Sequence, residues 1–358
     1  MFNKKDESIQ SYHDFWDWFR KNEKAFFKVV KEKGDIEKEF FNKISPKLNE
    51  LREGFYLLTG MYDAHTVELV ITADGIVKNF VFVEELVSAA PMINGWKFTA
   101  LKPALDITAV SISMEDYDFN QDNIHFYAND HPESPDEIDI TVVHDSLNED
   151  NQSIVTNGTY LFLDNMLGEQ DFASLIDTIH IVGRADVSKE LVPIGKLKDF
   201  LIWRQKEFVE KYEGVWHSTE NGNYTALEAR LNNGDPVIAI IDSDLLAWDS
   251  KASHPWIMTV EINYDGTSSN GLPDKETYQL LDNIEEDILS ELKDKEGYLN
   301  IGRQTAGNVR EIYFACKDFR KPSKVLAAIQ QQYADTNEIN YTIYKDKYWQ
   351  SFDHFINH

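Results

Sequence analysis

The apolar residues from position 256 onward alternate between the period of a strand and the period of a helix. Strand-like runs are predicted at 256–265, 298–304, 309–316 and 338–346. A helix over 273–294 separates the first two runs, and its predicted buried stripe consists of Leu281, Ile284, Ile288 and Leu292. A second helix precedes the last strand, with Leu326, Ile329 and Tyr333 on one side. The order β-α-β-β-α-β predicts a ferredoxin-like unit.

A hairpin is predicted directly before this unit. The runs "YTALEARL" and "PVIAIIDSD" flank Asn232-Asn233-Gly234, a combination typical of a tight turn between two strands. We therefore expect an extra N-terminal hairpin beside the ferredoxin-like unit.

The first half of the chain mixes helices and strands in a different order. Residues 5–33 carry large apolar side chains at three- and four-residue steps, which predicts a helix packed on a sheet through Tyr12, Phe15, Trp16, Phe19, Phe26 and Val30. A second helical run follows, and strand-like runs begin at residue 55. This mixture indicates an α+β fold class. A chain of 358 residues fits two domains. We place them at 1–205, an α+β domain beginning with a helical pair, and 206–358, the ferredoxin-like domain.

The charge of the chain is strongly acidic. There are 35 Lys and Arg against 62 Asp and Glu, which gives a net charge of −27. Such a surface repels nucleic-acid phosphates and anionic membranes, so neither is an expected partner. Self-repulsion that keeps the chain in solution is the expected role of the charge, and a dedicated acidic docking face is the alternative.

The cysteine content and the apolar runs bear on location. Cys316 is the single cysteine, so no intramolecular disulfide can form. The opening "MFNKKDESIQ" has no apolar segment behind its lysines, and "PVIAII" (236–241) is the length of a strand, far short of a membrane span. These features predict a cytoplasmic protein.

No residue pattern predicts catalysis or metal binding. The run "DYDFNQDN" (116–123) begins like a calcium-binding loop, but Gln121 stands where Gly is required and Tyr127 where Glu is required. Asp242 and Asp244 form a carboxylate pair at a strand end, which among 62 acidic residues arises readily by chance. We expect no catalytic residue, no cofactor and no metal site.

The stretch "GYLNIGRQT" (297–305) resembles a phosphate-binding loop only superficially. Arg303 replaces the lysine, Gln304 replaces the hydroxyl that binds Mg²⁺, and no helix follows. The alternation of apolar residues instead predicts the first strand of a hairpin whose second strand begins near Val309.

The register of this hairpin follows from its apolar faces. If Leu299, Ile301 and Arg303 share one face, Ile301 lies opposite Ile312 and Arg303 lies opposite Arg310. The connection is then either Ala306-Gly307 or Thr305 through Asn308. Two opposed arginines are unfavourable without an anion between them. An internal carboxylate is the expected anion, and a bound phosphate or a partner's carboxylate is the alternative. Arg303, Thr305 and Arg310 are therefore candidate ligand or partner contacts.

The C-terminal run "DKYWQSF" (346–352) offers two further candidates. Asp346, Trp349 and Phe352 are spaced three residues apart, which is typical of a helical turn. The aromatic side chains either lock this turn onto the sheet or serve as an anchor for a partner protein. Asp346 and Trp349 are the residues of this run that we expect at a partner contact.

The C-terminal half resembles a known family. The runs "NYTALEARLNNGDPVIAIID", "NGLPDKETYQLLDNIEEDIL", "GYLNIGRQTAGNVREIYFACKD" and "YKDKYW" are similar to domain-of-unknown-function 695 (DUF695), over about residues 206–356. Its most specific parts are the Gly-Leu-Pro before the acidic helix and the Thr-x-Gly-x-x-Arg-Glu hairpin. The N-terminal half resembles the accessory region that accompanies this domain in some bacterial proteins, through "ELVITADG", "AAPMINGW" and "LDNMLGE".

A more distant resemblance connects the C-terminal pattern to the protein regulator of ribonuclease E activity, type B. The resemblance implies an acidic ferredoxin-like protein that works by binding another protein, with no role carried over to individual residues. We therefore expect a non-catalytic regulatory or scaffolding protein with an unknown protein partner. The alternatives are an enzyme or binder of a small anionic ligand near Arg303 and Arg310, and an acidic nucleic-acid mimic or immunity-type protein.

Overall fold

The computed structural model describes residues 8–187 and 189–356. The chain is mixed α and β with several sheets, and it divides into two compact units. The first unit contains the described residues up to Asn129 together with Ile138–Leu201, and the second contains Asp130–Glu137 and the chain from Ile202 onward. Among the described residues, no helix has both the length and the apolar character needed to cross a membrane.

The first unit begins with helices packed on a three-stranded sheet in the order β1-β2-β3. The aromatic stripe of the first helix packs on this sheet as its spacing predicts, with Trp16 centred 4.5 Å from Phe98 and Phe19 4.9 Å from Trp96. The elements are α1 (Tyr12–Lys31), a π-helical turn (Glu37–Phe41), α2 (Asn42–Asn49), β1 (Tyr56–Met61), β2 (Val67–Thr72), α3 (Val77–Ser88) and β3 (Trp96–Ala100).

A second sheet of the first unit has the strand order β8-β7-β6-β9 and is covered by a buried cluster that includes Val142, Phe162 and Leu201. The elements are β4 (Ile112–Met114), β5 (Tyr117–Phe119), β6 (Ile124–Asn129), β7 (Asp139–His144), α4 (Gln152–Leu167), α5 (Glu169–Leu175), β8 (Thr178–Gly183), β9 (Val192–Pro193) and α6 (Leu197–Lys211). Within α6 the chain passes from the first compact unit to the second, between Leu201 and Ile202.

The second unit is built on a six-stranded sheet in the order β10-β11-β13-β14-β12-β15, in which every neighbouring pair is antiparallel. The elements are β10 (Tyr224–Arg230), β11 (Pro236–Asp242), α7 (Ser243–Leu246), β12 (Trp256–Asn263), α8 (Lys275–Glu291), β13 (Tyr298–Ala306), β14 (Val309–Cys316), α9 (Arg320–Gln332) and β15 (Ile339–Lys345). The hairpin β10–β11 extends the sheet next to β13.

The segment Asp130–Glu137 belongs to the second unit although it precedes that unit in the chain by more than sixty residues. Asp136 holds it there: its carboxylate accepts hydrogen bonds from Lys211 Nζ at 2.8 Å, Tyr212 Oη at 2.7 Å and Tyr348 Oη at 2.7 Å. Lys347 Nζ donates to the Asp136 carbonyl at 2.6 Å. A single cut in the sequence, such as the predicted boundary after residue 205, leaves this segment with the wrong unit.

The register of the β13–β14 hairpin differs from the one predicted. Arg303 lies opposite Ile312 and Thr305 opposite Arg310, and a bulge interrupts the ladder between Asn300 and Gly302. The turn is Gly307-Asn308, with φ of +58° and +71°. A two-residue hairpin turn with both central residues at positive φ favours Gly and Asn over Ala306, which explains the shift.

The predicted shared face of Leu299, Ile301 and Arg303 is therefore wrong. Leu299 and Ile301 pack with Trp349 and Phe352 on one side of the sheet, whereas Arg303 reaches Glu285 of α8 on the other. The extra residue in the bulge separates these two faces within a single strand.

We predict that Gly302→Ala destabilises the second unit. Gly302 has φ of +143°, and an added Cβ would lie 2.2 Å from the Ile240 carbonyl oxygen and 2.8 Å from the Ile241 Cα atom. Backbone atoms of β11 cannot move aside as a flexible side chain can, so we expect a loss of at least about 3 kcal/mol in the free energy of unfolding, measured by urea denaturation. Gly60→Ala is the control, because an added Cβ there meets nothing within 4 Å. Equal stability of the two variants would contradict the role of the bulge.

We predict that acid weakens the attachment of Asp130–Glu137. Burial raises the pKa of Asp136, but the hydrogen bonds from Lys211, Tyr212 and Tyr348 outweigh it and leave the pKa lowered. A lowered folded-state pKa contributes stability above the unfolded-state value of about 4 and loses it as the pH falls through the folded-state value.

The test compares wild type with Asp136→Asn by urea unfolding at pH 7 and in steps below pH 4. We expect the variant to be less stable at pH 7, and the difference to shrink as the pH falls. Asp130→Asn removes an exposed carboxylate from the same segment and should match wild type throughout. A wild-type advantage that is constant across this pH range would be inconsistent with Asp136 as the anchor.

Candidate functional site

A cavity of about 270 Å³ lies on the side of the six-stranded sheet that carries α8. Ile238 and Ile240 of β11 form one wall, and they lie opposite Thr305 and Arg303 of β13 in the ladder. The whole lining comprises Ile238, Ile240, Leu272, Pro273, Tyr278, Arg303, Thr305 and Arg310. The structure thus brings three of the five predicted contact residues, Arg303, Thr305 and Arg310, to one cavity.

The loop that precedes α8 closes the cavity through hydrogen bonds to the β13–β14 turn. Asn308 donates its backbone N–H to the Gly271 carbonyl at 3.0 Å, and its side-chain oxygen accepts from the Gly266 N–H at 3.0 Å. The Gly-Leu-Pro and Thr-x-Gly-x-x-Arg-Glu runs, which carry the most specific part of the resemblance, therefore meet at this cavity.

Arg310 is the most buried charged group of the site, with its side chain 1% exposed. Its Nη1 atom donates to Asp282 Oδ1 at 2.7 Å, and its Nε atom donates to Thr305 Oγ1 at 3.3 Å. The guanidinium carbon lies 4.8 Å from the centre of the Tyr278 ring, which fixes the plane of the group by a cation–π contact.

Arg303 is less buried and pairs with the next acidic residue of the same helix. Its Nη1 atom lies 2.6 Å from Glu285 Oε2, and its Nη2 atom donates to Tyr278 Oη at 3.1 Å. Burial lowers the pKa of Arg303, but the Glu285 carboxylate outweighs this and the pKa lies above its usual value. Each guanidinium group is therefore paired with a carboxylate of α8.

The sequence predicted that an anion accompanies the two arginines, but it did not identify Asp282 and Glu285. These residues are three positions apart on α8 and face the sheet together. A signal was present: Glu285 falls within the apolar stripe formed by Leu281, Ile284 and Ile288, where a carboxylate is unusual. An acidic residue at a buried helical position requires a cationic partner, and the hairpin opposite supplies two.

Asp346 and Trp349 lie elsewhere, away from the cavity lining. Trp349 is 1% exposed, donates its indole N–H to the His254 carbonyl at 3.0 Å and packs with Phe352. Asp346 accepts from the backbone N–H groups of Gln350 and Ser351 at the start of a 3₁₀ helix. Because Trp349 is buried, it is not accessible to a partner protein. The aromatic residues of the C-terminal turn pack against the sheet instead.

Three other titratable groups of the second unit, Asp242, His254 and Cys316, are buried in the fold. Asp242 caps α7 by accepting from the backbone N–H groups of Asp244 and Leu245, which accounts for the carboxylate pair at this strand end. Burial lowers the pKa of His254 to about 3, so this histidine is neutral, and burial raises the pKa of the Cys316 thiol. Within residues 8–187 and 189–356, no group of three or more His, Cys, Asp or Glu is placed to hold a metal ion.

Comparison with known proteins agrees with the resemblance noted above. Residues 227–356 match the DUF695 family. This is a family of unknown function, and the match runs from within β10 to the end of the C-terminal 3₁₀ helix, so it contains the cavity and all five predicted contact residues. No curated protein and no solved structure matches the chain. The DUF695 region thus contains part of β10, the other five strands of the sheet, α7, α8 and α9, and the arginine pair.

We predict that Glu285→Gln lowers the free energy of unfolding by about 2–3 kcal/mol, because it leaves the buried Arg310 and the partly buried Arg303 with one carboxylate. The neighbouring Glu286 is exposed on the same helix, so Glu286→Gln changes the net charge equally and should alter stability by less than about 0.5 kcal/mol. Urea denaturation at pH 7 measures both. An equal loss of free energy of unfolding in the two variants would contradict a stabilising role of the arginine–carboxylate network.

Proposed function

We propose that this protein is a non-catalytic regulatory or scaffolding protein that acts by binding another protein. The observation that supports it is the open outer edge of β10. This strand forms one edge of the six-stranded sheet and pairs only with β11 among the described strands. Six of its seven residues are exposed. An exposed strand edge is a ready template for an extended segment of a second protein.

The pairing of β10 identifies which backbone groups are available. Beyond the strand end, Leu231 donates its N–H to the Asp235 carbonyl. Because hydrogen-bonded and non-hydrogen-bonded pairs alternate along an antiparallel ladder, Leu227 and Ala229 bond to β11. The alternate residues of β10 direct their backbone N–H and C=O groups outward, away from β11. These residues are Tyr224, Ala226, Glu228 and Arg230.

Charge favours a different, basic protein over a second copy of this chain. Two copies would each carry a net charge of −27, and their mutual repulsion opposes edge-to-edge pairing. A cationic segment would instead be attracted. Tyr224 at 45% and Leu231 at 39% exposure lie at either end of the edge and would supply apolar contact area.

We propose further that the DUF695 region is a ferredoxin-like unit with an added hairpin, in a cytoplasmic protein. The strand order β13-β14-β12-β15 supports the ferredoxin-like fold, because it places the first and third strands of a β-α-β-β-α-β series in the middle. The distant resemblance to the regulator of ribonuclease E activity supports a binding role. A shared fold does not by itself carry a function, so the edge strand remains the main argument.

We expect Ala226→Pro to abolish partner binding while the protein stays folded. The Ala226 N–H faces away from β11, so proline removes a donor that only a partner strand uses. Ala226→Thr keeps that N–H and is the matched control. The tagged full chain is used to capture proteins from a bacterial lysate, and the affinity of the captured basic protein is then measured with each purified variant.

The proposal expects binding to the threonine variant at wild-type affinity and at least about tenfold weaker binding to the proline variant. Circular dichroism confirms that both are folded. If the proline variant bound like wild type and salt alone released the partner, the acidic surface would be the contact, as in a nucleic-acid mimic. That outcome, or the absence of any specific partner, would overturn the edge-strand proposal.

A further inference from the structure

The cavity beside Arg310 has hydrogen-bonding capacity that the chain itself does not use. The Nε and Nη1 groups of Arg310 donate to Thr305 and Asp282, whereas its Nη2 group has no partner among the described residues. Because Arg310 lines the cavity, an acceptor placed there would satisfy this donor.

Two hydroxyl groups in the lining are also free to donate. Thr305 Oγ1 accepts from Arg310, and Tyr278 Oη accepts from Arg303. Within the part of the chain that the structure describes, neither hydroxyl donates its own proton to a protein acceptor. The lining therefore offers a guanidinium group and two hydroxyl groups as donors.

The carboxylates of the site stand behind the arginines and outside the cavity lining. Asp282 and Glu285 contact the guanidinium groups but are not among the eight lining residues. A ligand thus meets the donors directly, while the charges of the two arginines are balanced by two carboxylates. A bound monoanion therefore adds one uncompensated charge, which the hydrogen-bond donors can stabilise, whereas a dianion adds two and costs more to hold in a partly buried site.

The remaining lining is apolar and the space is small. Ile238, Ile240, Leu272 and Pro273 surround a volume of about 270 Å³, slightly below the usual range for small-molecule sites, so only a small ligand fits. We propose that this cavity binds a small organic monocarboxylate with an apolar body. Its carboxylate accepts from Arg310 Nη2 and the Thr305 hydroxyl, and its apolar body lies against the isoleucines of β11. The site is independent of the outer edge of β10.

The first test measures binding of defined probes to the full chain by isothermal titration calorimetry. The probes are benzoate, indole-3-acetate and octanoate, each beside its neutral primary amide, with inorganic phosphate as the dianionic comparison. We expect at least one carboxylate to bind with a Kd below about 1 mM and at least about tenfold more tightly than its amide. No binding by any carboxylate, or tighter binding by phosphate, would overturn the proposal.

The second test locates the site with matched variants. Ile238→Trp fills the cavity and should abolish binding, whereas Val237→Trp places the same ring on the opposite face of β11 and should leave it unchanged. Thr305→Val removes the hydroxyl and should weaken binding several-fold, and Thr305→Ser should restore it. Thermal unfolding of every variant separates loss of binding from loss of fold. Wild-type affinity in Ile238→Trp would place the ligand elsewhere and refute the assignment.

Discussion

The second unit depends on a buried pairing of two arginines with two carboxylates. Arg310 is almost fully buried, and a guanidinium group in such a place is tolerated only when an opposite charge and hydrogen bonds replace its water. Asp282 and Glu285 supply the charge from α8, and Thr305 and Tyr278 supply further contacts. The network therefore fixes where α8 lies on the sheet, and with it the depth and chemistry of the cavity.

The helices and strands of this unit could be predicted because their apolar residues follow regular periods. The β-α-β-β-α-β series, the buried face of α8 and the hairpin before it all follow from that periodicity. The register of β13 and β14 could not be predicted in the same way. Residues 298–302 are buried on both faces of the sheet, so alternation of polarity carries no information about the bulge at Ile301.

The candidate site was predictable only in part, for a related reason. Two arginines in neighbouring strands require an anion, which the sequence shows, but the identity of the anion depends on the packing of a helix distant in sequence. The aromatic residues near the C-terminus illustrate the opposite case. Trp349 could lie on the surface or in the core by spacing alone, and only the neighbouring packing of Leu299, Ile301 and Phe352 decides for the core.

The attachment of residues 130–137 has a consequence for the order in which the protein can be completed during synthesis. Asp136 and Tyr348, which share a hydrogen bond, are 212 residues apart in the chain. Asp136 leaves the ribosome well before Lys211 and Tyr212, and Tyr348 follows only after the six strands of the second unit. The segment must therefore wait, accessible to water and to proteases, while almost all of the second unit is made. This contact therefore closes late and restrains a long loop, because Tyr348 completes a cluster that begins with Asp136, 212 residues earlier.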